Sequence, residues 1–283
     1  MKEFSYYPGC SLHGTGKEFD ESTRGVSTLL EVGLHELEDW TYCGASSAHC
    51  LNEELSIALS ARNLAIAQKS GRELLIPCVA CYSRFKAAEH ELKEHPSKFS
   101  TPYRGEVPIR YALDAFCAEP LLGEVKKKRV KPLAGLKLVC YYGCLAVRPP
   151  KLTAVRDYEN PEHMERLMEA LGAEPLPWSY KTDCCGAGLT LTRTDIVRKL
   201  SGRLLAMAKE TGADAIVTGC PLCQPNLDTR QEEIQKETGE TYDLPVFYFT
   251  ELMGLALGHA DVRKWLGRHI TDPVKALSAK GLL

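Results

Sequence analysis

The sequence predicts an α/β protein made of two tandem, structurally similar units with small parallel sheets. Two observations carry that prediction. Short apolar runs alternate with helical stripes along the chain, the pattern of parallel strands joined by helices. The same cysteine-bearing segments then occur twice in the same order, so the chain reads as an internal duplication. The units are expected at 1–130 and 131–283, the second carrying an additional C-terminal helix.

The elements follow in order. Tyr6-Tyr7-Pro8-Gly9-Cys10 recurs as Tyr141-Tyr142-Gly143-Cys144, the latter at the end of the apolar strand Leu136 to Tyr142. Val26, Leu29 and Leu30 give a short helical stripe ending near Gly33, matched by Met164, Leu167, Met168 and Leu171, which stop at Gly172. Cys43-Gly44-Ala45 returns 142 residues later as Cys185-Gly186-Ala187. A longer helix follows each copy, Leu55 to Lys69 before Gly71 and Asp195 to Lys209 before Gly212, where glycine supplies a left-handed cap. Short strands, Leu74-Leu75-Ile76 and Ala215-Ile216-Val217, run into Cys78-x-x-Cys81 and Cys220-x-x-Cys223, again 142 residues apart. Last strands are expected around Val107 to Arg110 and Val246 to Phe249. Lys126-Lys127-Lys128-Arg129 and Val130 to Leu133 read as a solvated join, and the tail after His259 as a terminal helix.

Composition narrows the function. With 283 residues, a formal net charge of -2 and a pI near 6.5, nothing favours nucleic acid as a partner. The N-terminus has no apolar signal-peptide core, no apolar stretch is long enough to span a bilayer, and the greasy segment Leu244 to Gly258 carries Glu251. A cytoplasmic protein without direct membrane insertion is expected, its thiols reduced. Twelve cysteines there point to metal or redox chemistry rather than a disulfide framework.

In open α/β sheets functional groups collect at the carboxyl ends of strands, where Cys10, Cys144 and both Cys-x-x-Cys pairs fall. A Cys-x-x-Cys turn alone suits zinc, an iron–sulfur cluster or a redox pair. Two copies with distant cysteine partners weaken the redox pair. A tetrahedral ion needs four ligands, whereas the second half supplies five, and adjacent Cys184 and Cys185 leave the backbone in different directions. Soft thiolates suit iron and sulfide. Cys117 and Cys140 read as core residues, and Tyr141 and Tyr142 as packing at a strand end. His13 and His49 are candidates to hydrogen-bond a cluster sulfur or deliver a proton, and Arg148 to pair with an anionic substrate group. Gly44, Gly186 and Gly188 are expected to let backbone lie against cluster sulfur.

Cys144, then Cys184-Cys185-Gly186, then Cys220-Pro221-Leu222-Cys223 resembles the cysteine-rich CCG domain found in the B subunit of heterodisulfide reductase, and Arg148-Pro149 and Gln224 to Asp228 agree. The resemblance covers both halves. It implies a noncubane 4Fe–4S cluster held by Cys144, Cys184, Cys185, Cys220 and Cys223, and reduction or formation of a disulfide or related sulfur substrate. Cys184 and Cys185 are then the catalytic cysteines, with His13 a candidate proton donor. The first half departs from the pattern, reading Tyr42-Cys43-Gly44 where the motif has Cys-Cys-Gly. Cys10, Cys43, Cys78 and Cys81 leave four thiolates, the number a 4Fe–4S cubane needs, with a noncubane cluster and zinc as alternatives. Cys50 is a candidate for the missing thiol, but its repeat counterpart is Thr192. The chain has no ferredoxin cysteine run, no dinucleotide fingerprint and no haem motif, so electrons are expected from other chains. The resemblance makes these a ferredoxin-like iron–sulfur subunit and a flavin-containing subunit. The competing reading is a non-catalytic electron-transfer or docking subunit.

Overall fold

The computed structural model describes residues 2–283. The first half forms a sheet from β1 (Lys2–Tyr6), β2 (Val32–Glu36), β3 (Glu73–Ile76) and β4 (Ile109–Tyr111), in the order β2-β1-β3-β4. The second repeats it with β5 (Lys137–Tyr141), β6 (Glu174–Pro175), β7 (Ala215–Thr218) and β8 (Val246–Tyr248), in the order β6-β5-β7-β8. Every pair is parallel, with Ser5 beside Leu74 and Cys140 beside Val217. Parallel strands buried on both faces read as continuous apolar runs, and Leu74-Leu75-Ile76 and Ala215-Ile216-Val217 are indeed wholly inside. In each sheet the strand order reverses between the first and third strands of its half, the crevice where such sheets place ligands.

The long helices are bounded as the sequence dictates. Asn52 caps Glu53–Ser70 by accepting from the Leu55 N–H at 2.9 Å, and Gly71 ends it at φ 66°. Thr194–Glu210 is its counterpart in the second half. Three expectations are corrected. Gly33 lies inside β2, an edge strand the helical stripe concealed. Lys126, Lys127 and Lys128 form the last turn of a helix, Leu121–Lys128, where cations meet the negative end of the helix dipole. The tail holds two short helices, Val262–Leu266 and Pro273–Ala279.

The halves pack on each other. The helix Lys17–Leu29 of the first half lies on Phe249–Leu257 of the second. Phe19 stacks on Tyr248 with centroids 4.3 Å apart, and Ser22 and Thr250 share a buried hydrogen bond of 2.6 Å. The join is solvated, as expected, and also pinned: the Val130 and Lys131 N–H groups donate to the Ala256 carbonyl, and Arg129 donates to that of Ala170. No helix among the described residues is long and apolar enough to cross a membrane.

Candidate metal centre

The second-half cysteines arrive from three strand ends. Cys144 follows β5, Cys184 and Cys185 sit in the loop after β6, and Cys220 and Cys223 follow β7. All five line one cavity of about 120 Å³, whose remaining walls include Gly143, Leu145, Ala187 and Leu222. Cys185 Sγ lies 3.4 Å from Cys223 Sγ, and the Gly186 N–H donates to Cys184 Sγ at 3.3 Å. The hydrogen bond with Cys144, assisted by that N–H, pulls the Cys184 thiol down to about 6. The bond with Cys223 likewise lowers Cys185 and raises Cys223. Crowded thiols thus share their protons within each pair, one member lowered and its partner raised.

The first half repeats this geometry. Cys10 lies in the turn of helix after β1, Cys43 after β2, and Cys78 and Cys81 at the N-terminus of the helix Val79–Glu94. Cys43 Sγ and Cys81 Sγ are 3.2 Å apart, and their bond lowers Cys43 and raises Cys81. Tyr42 occupies the position of Cys184, its hydroxyl hydrogen-bonded to Ser46 Oγ at 2.6 Å within its own loop. Cys50 is exposed on the short helix Ser47–Leu51.

Two features are legible only in the structure. The repeat aligns Tyr7 with Tyr141: the Tyr7 hydroxyl donates to the Thr41 carbonyl at 2.8 Å and that of Tyr141 to the Asp183 carbonyl at 2.7 Å. Each ties down the carbonyl two residues before the buried cysteine of its Cys-Gly pair, so these tyrosines pack the strand end and also hold the ligand loop. Of the expected glycines Gly186 meets sulfur through its N–H, and two glycines not singled out in the sequence leave room for sulfur where a Cβ would stand. A Cβ on Gly143 would lie 3.2 Å from Cys223 Sγ, and one on Gly9 3.0 Å from Cys81 Sγ. Gly44 and Gly186 instead face the helices behind them, at Ser56 and Val197, and Gly188 faces open space.

The remaining candidates are placed as follows. The His13 imidazole lies 3.4 Å from Glu36 and edge-on to Trp40. His49 Nδ1 accepts from Arg84 at 2.8 Å. Arg148 pairs with Glu159 at 3.1 Å on the surface. Burial raises Cys140 and Cys117, and the Cys117 thiol donates to the His163 carbonyl, so both are inert packing as expected. The site residue that sequence reasoning missed is Asn226, whose Nδ2 lies 3.8 Å from Cys185 Sγ while Thr190 holds its Oδ1 at 2.8 Å. Its signal was its place one helical turn after Cys223.

The two centres share a wall. Val79 and Ala80, the residues between Cys78 and Cys81, line the second-half cavity together with Ala45. Tyr111 at the end of β4 donates across the halves to the Gly219 carbonyl at 2.9 Å. Among the described residues no three His, Cys, Asp or Glu side chains form a group that could hold a single metal ion. The donor set of the second half suits an iron–sulfur group: soft thiolates around a small cavity, with N–H groups on sulfur and a glycine where a side chain would intrude.

The CCG family, a cysteine-rich domain, has a model that matches residues 4–86 and 138–228. The 8-methylmenaquinol:fumarate reductase membrane anchor subunit of Wolinella succinogenes is 32% identical over 97% of this chain and 99% of its own. The B subunit of the ferredoxin:CoB-CoM heterodisulfide reductase of Methanosarcina mazei is 28% identical over 91% and 90%. A hypothetical protein from Helicobacter pylori, known as a crystal structure, has the same fold at a TM-score of 0.71 and 11% identity; the alignment covers 96% of this chain and 52% of that one.

Proposed function

The chain belongs to the CCG family of cysteine-rich domain proteins, and we propose that it is an iron–sulfur oxidoreductase subunit that reduces or forms a disulfide or related sulfur substrate. The observation carrying this reading is the convergence of Cys144, Cys184, Cys185, Cys220 and Cys223 on one cavity at the switch point of the second sheet. These five would hold a noncubane 4Fe–4S cluster, and Cys10, Cys43, Cys78 and Cys81 a simpler one. A bound cluster supplies electrons one at a time. The chain's residues fix the ligand loops through Tyr141 and Tyr7, keep side chains off sulfur at Gly143 and Gly9, and give the cavity apolar walls at Leu145, Ala187 and Leu222. His13, braced by Glu36, is the proposed proton donor beside Cys10. Residues 1–130 and 131–283 are the two units, the location is cytoplasmic, and electrons come from ferredoxin-like and flavin-containing partners.

One observation favours a second reading, a relay or docking subunit. Tyr42 replaces a thiol and is satisfied within its own loop, so the first site has one sulfur fewer than a complete motif. That the Wolinella relative is a membrane anchor subunit leans the same way. Anaerobic purification followed by iron and acid-labile sulfide analysis tests the shared premise, with about four of each expected at the second site. Assay with disulfides and reduced viologen then separates the readings: turnover identifies an enzyme, and clusters without turnover a relay.

A further inference from the structure

The two sites carry different donors at one place in the repeat. Arg84 stands three residues after Cys81 in the helix Val79–Glu94, and Asn226 three residues after Cys223 in Cys223–Thr229. Three residues is one helical turn, so each side chain rises from the same face as its cysteine. Those cysteines in turn touch Cys43 at 3.2 Å and Cys185 at 3.4 Å. In the second half the occupant is neutral: the buried Asn226 amide points Nδ2 at Cys185 Sγ, 3.8 Å away. In the first half it is a half-buried guanidinium. Arg84 donates to His49 Nδ1 at 2.8 Å, a neutral acceptor rather than a carboxylate. Burial and then the Arg84 charge lower the His49 pKa, which keeps that histidine neutral. The His49 backbone N–H in turn donates to the Gly44 carbonyl at 2.9 Å, so the guanidinium is held against the loop that carries Cys43.

A positive charge beside a thiolate-bound group stabilises its more negative, reduced form, and an amide N–H does so less. Resting on the iron–sulfur reading above, we propose that Arg84 and Asn226 are positioning residues that poise the two sites unequally, so that the first site accepts an electron before the second. Incoming reducing equivalents then collect next to the second-site cavity across the Val79–Ala80 wall. The only redox event invoked is uptake of one electron per site, with no proton transferred to Arg84 or Asn226.

The test is an anaerobic dithionite titration of the full chain, followed by electron paramagnetic resonance and visible absorption. Signals are assigned to each site by the Cys81→Ser and Cys223→Ser variants. Arg84→Gln is expected to lower the first-site reduction equilibrium about tenfold, about 59 mV for one electron, and leave the second site unmoved. Arg84→Lys restores most of the loss. Asn226→Arg raises the second-site midpoint toward the first. Iron and sulfide content and circular dichroism establish that each variant is loaded and folded; should Arg84→Gln not load, Arg84→Lys and Asn226→Arg decide. A first-site midpoint indifferent to Arg84, a shift of both sites together, or a redox-silent metal at the first site overturns the proposal and leaves the second-site cluster standing. A chain with no iron or sulfide at either site overturns the iron–sulfur reading itself.

Discussion

Gly143 is held at φ 69°, and a Cβ there would meet Cys223 Sγ at 3.2 Å, with the Tyr141 hydroxyl at 3.6 Å. An alanine is therefore penalised twice, by the left-handed backbone and by a sulfur that cannot retreat without leaving its loop. Gly143→Ala is expected to cost on the order of 1–2 kcal/mol in stability and, more sharply, to deplete iron from the second site. Chemical denaturation and metal analysis on the same preparation check both. An alanine variant with full iron and unchanged stability would show that the sulfur is free to move. The same change at Gly71, where no atom lies within 4 Å, should strain only the backbone and leave iron content alone. That contrast separates closeness to sulfur from positive φ.

Glu251 illustrates how an element can be read correctly and its reason missed. It stood out in the sequence only as a charge in a greasy segment. In the structure it sits in the first turn of Phe249–Leu257, accepting from the Tyr248 N–H at 2.9 Å and from His269 at 2.9 and 3.1 Å, both side chains wholly buried. Burial alone would lower the His269 pKa, but the facing carboxylate outweighs it and leaves the imidazole raised to about 9. A raised folded-state pKa gives stability that is complete below the unfolded value near 6.5 and disappears as pH rises through about 9. Glu251→Gln keeps an acceptor for the cap but removes the charge, so it should cost on the order of 3 kcal/mol at pH 6 and little at pH 10. Thermal unfolding of both proteins across that range reads the gap; a gap that stays constant with pH sinks the assignment. The elements that were legible, such as Glu53–Ser70 and β7, announce themselves by caps or by full burial. β2 and β6 are edge strands, half exposed or two residues long, and carry little apolar signal. The cysteines were legible because spacing alone brings them to strand ends, whereas Arg84 and Asn226 acquire meaning only once the loop bearing Cys43 or Cys185 folds against their helix.

Across the whole molecule, the duplication is not a pair of beads. Phe19, Tyr248 and Phe249, all fully buried, meet between the halves, and Tyr111 reaches the carbonyl before Cys220. Ala45, Val79 and Ala80 complete a cavity whose thiols all belong to the other half. Separating the halves would expose aromatic surface and open the second site to water, two costs that favour reassembly. Residues 131–283 expressed alone should therefore be insoluble or, where soluble, poor in iron. Co-expression with 1–130 should return a complex that copurifies through a tag on either piece and regains its iron. A soluble, fully iron-loaded 131–283 fragment would mean that the five cysteines need nothing from the first half and that the shared wall is packing alone. The predicted outcome instead makes the first half a structural part of the second half's site, whichever metal its own cysteines hold.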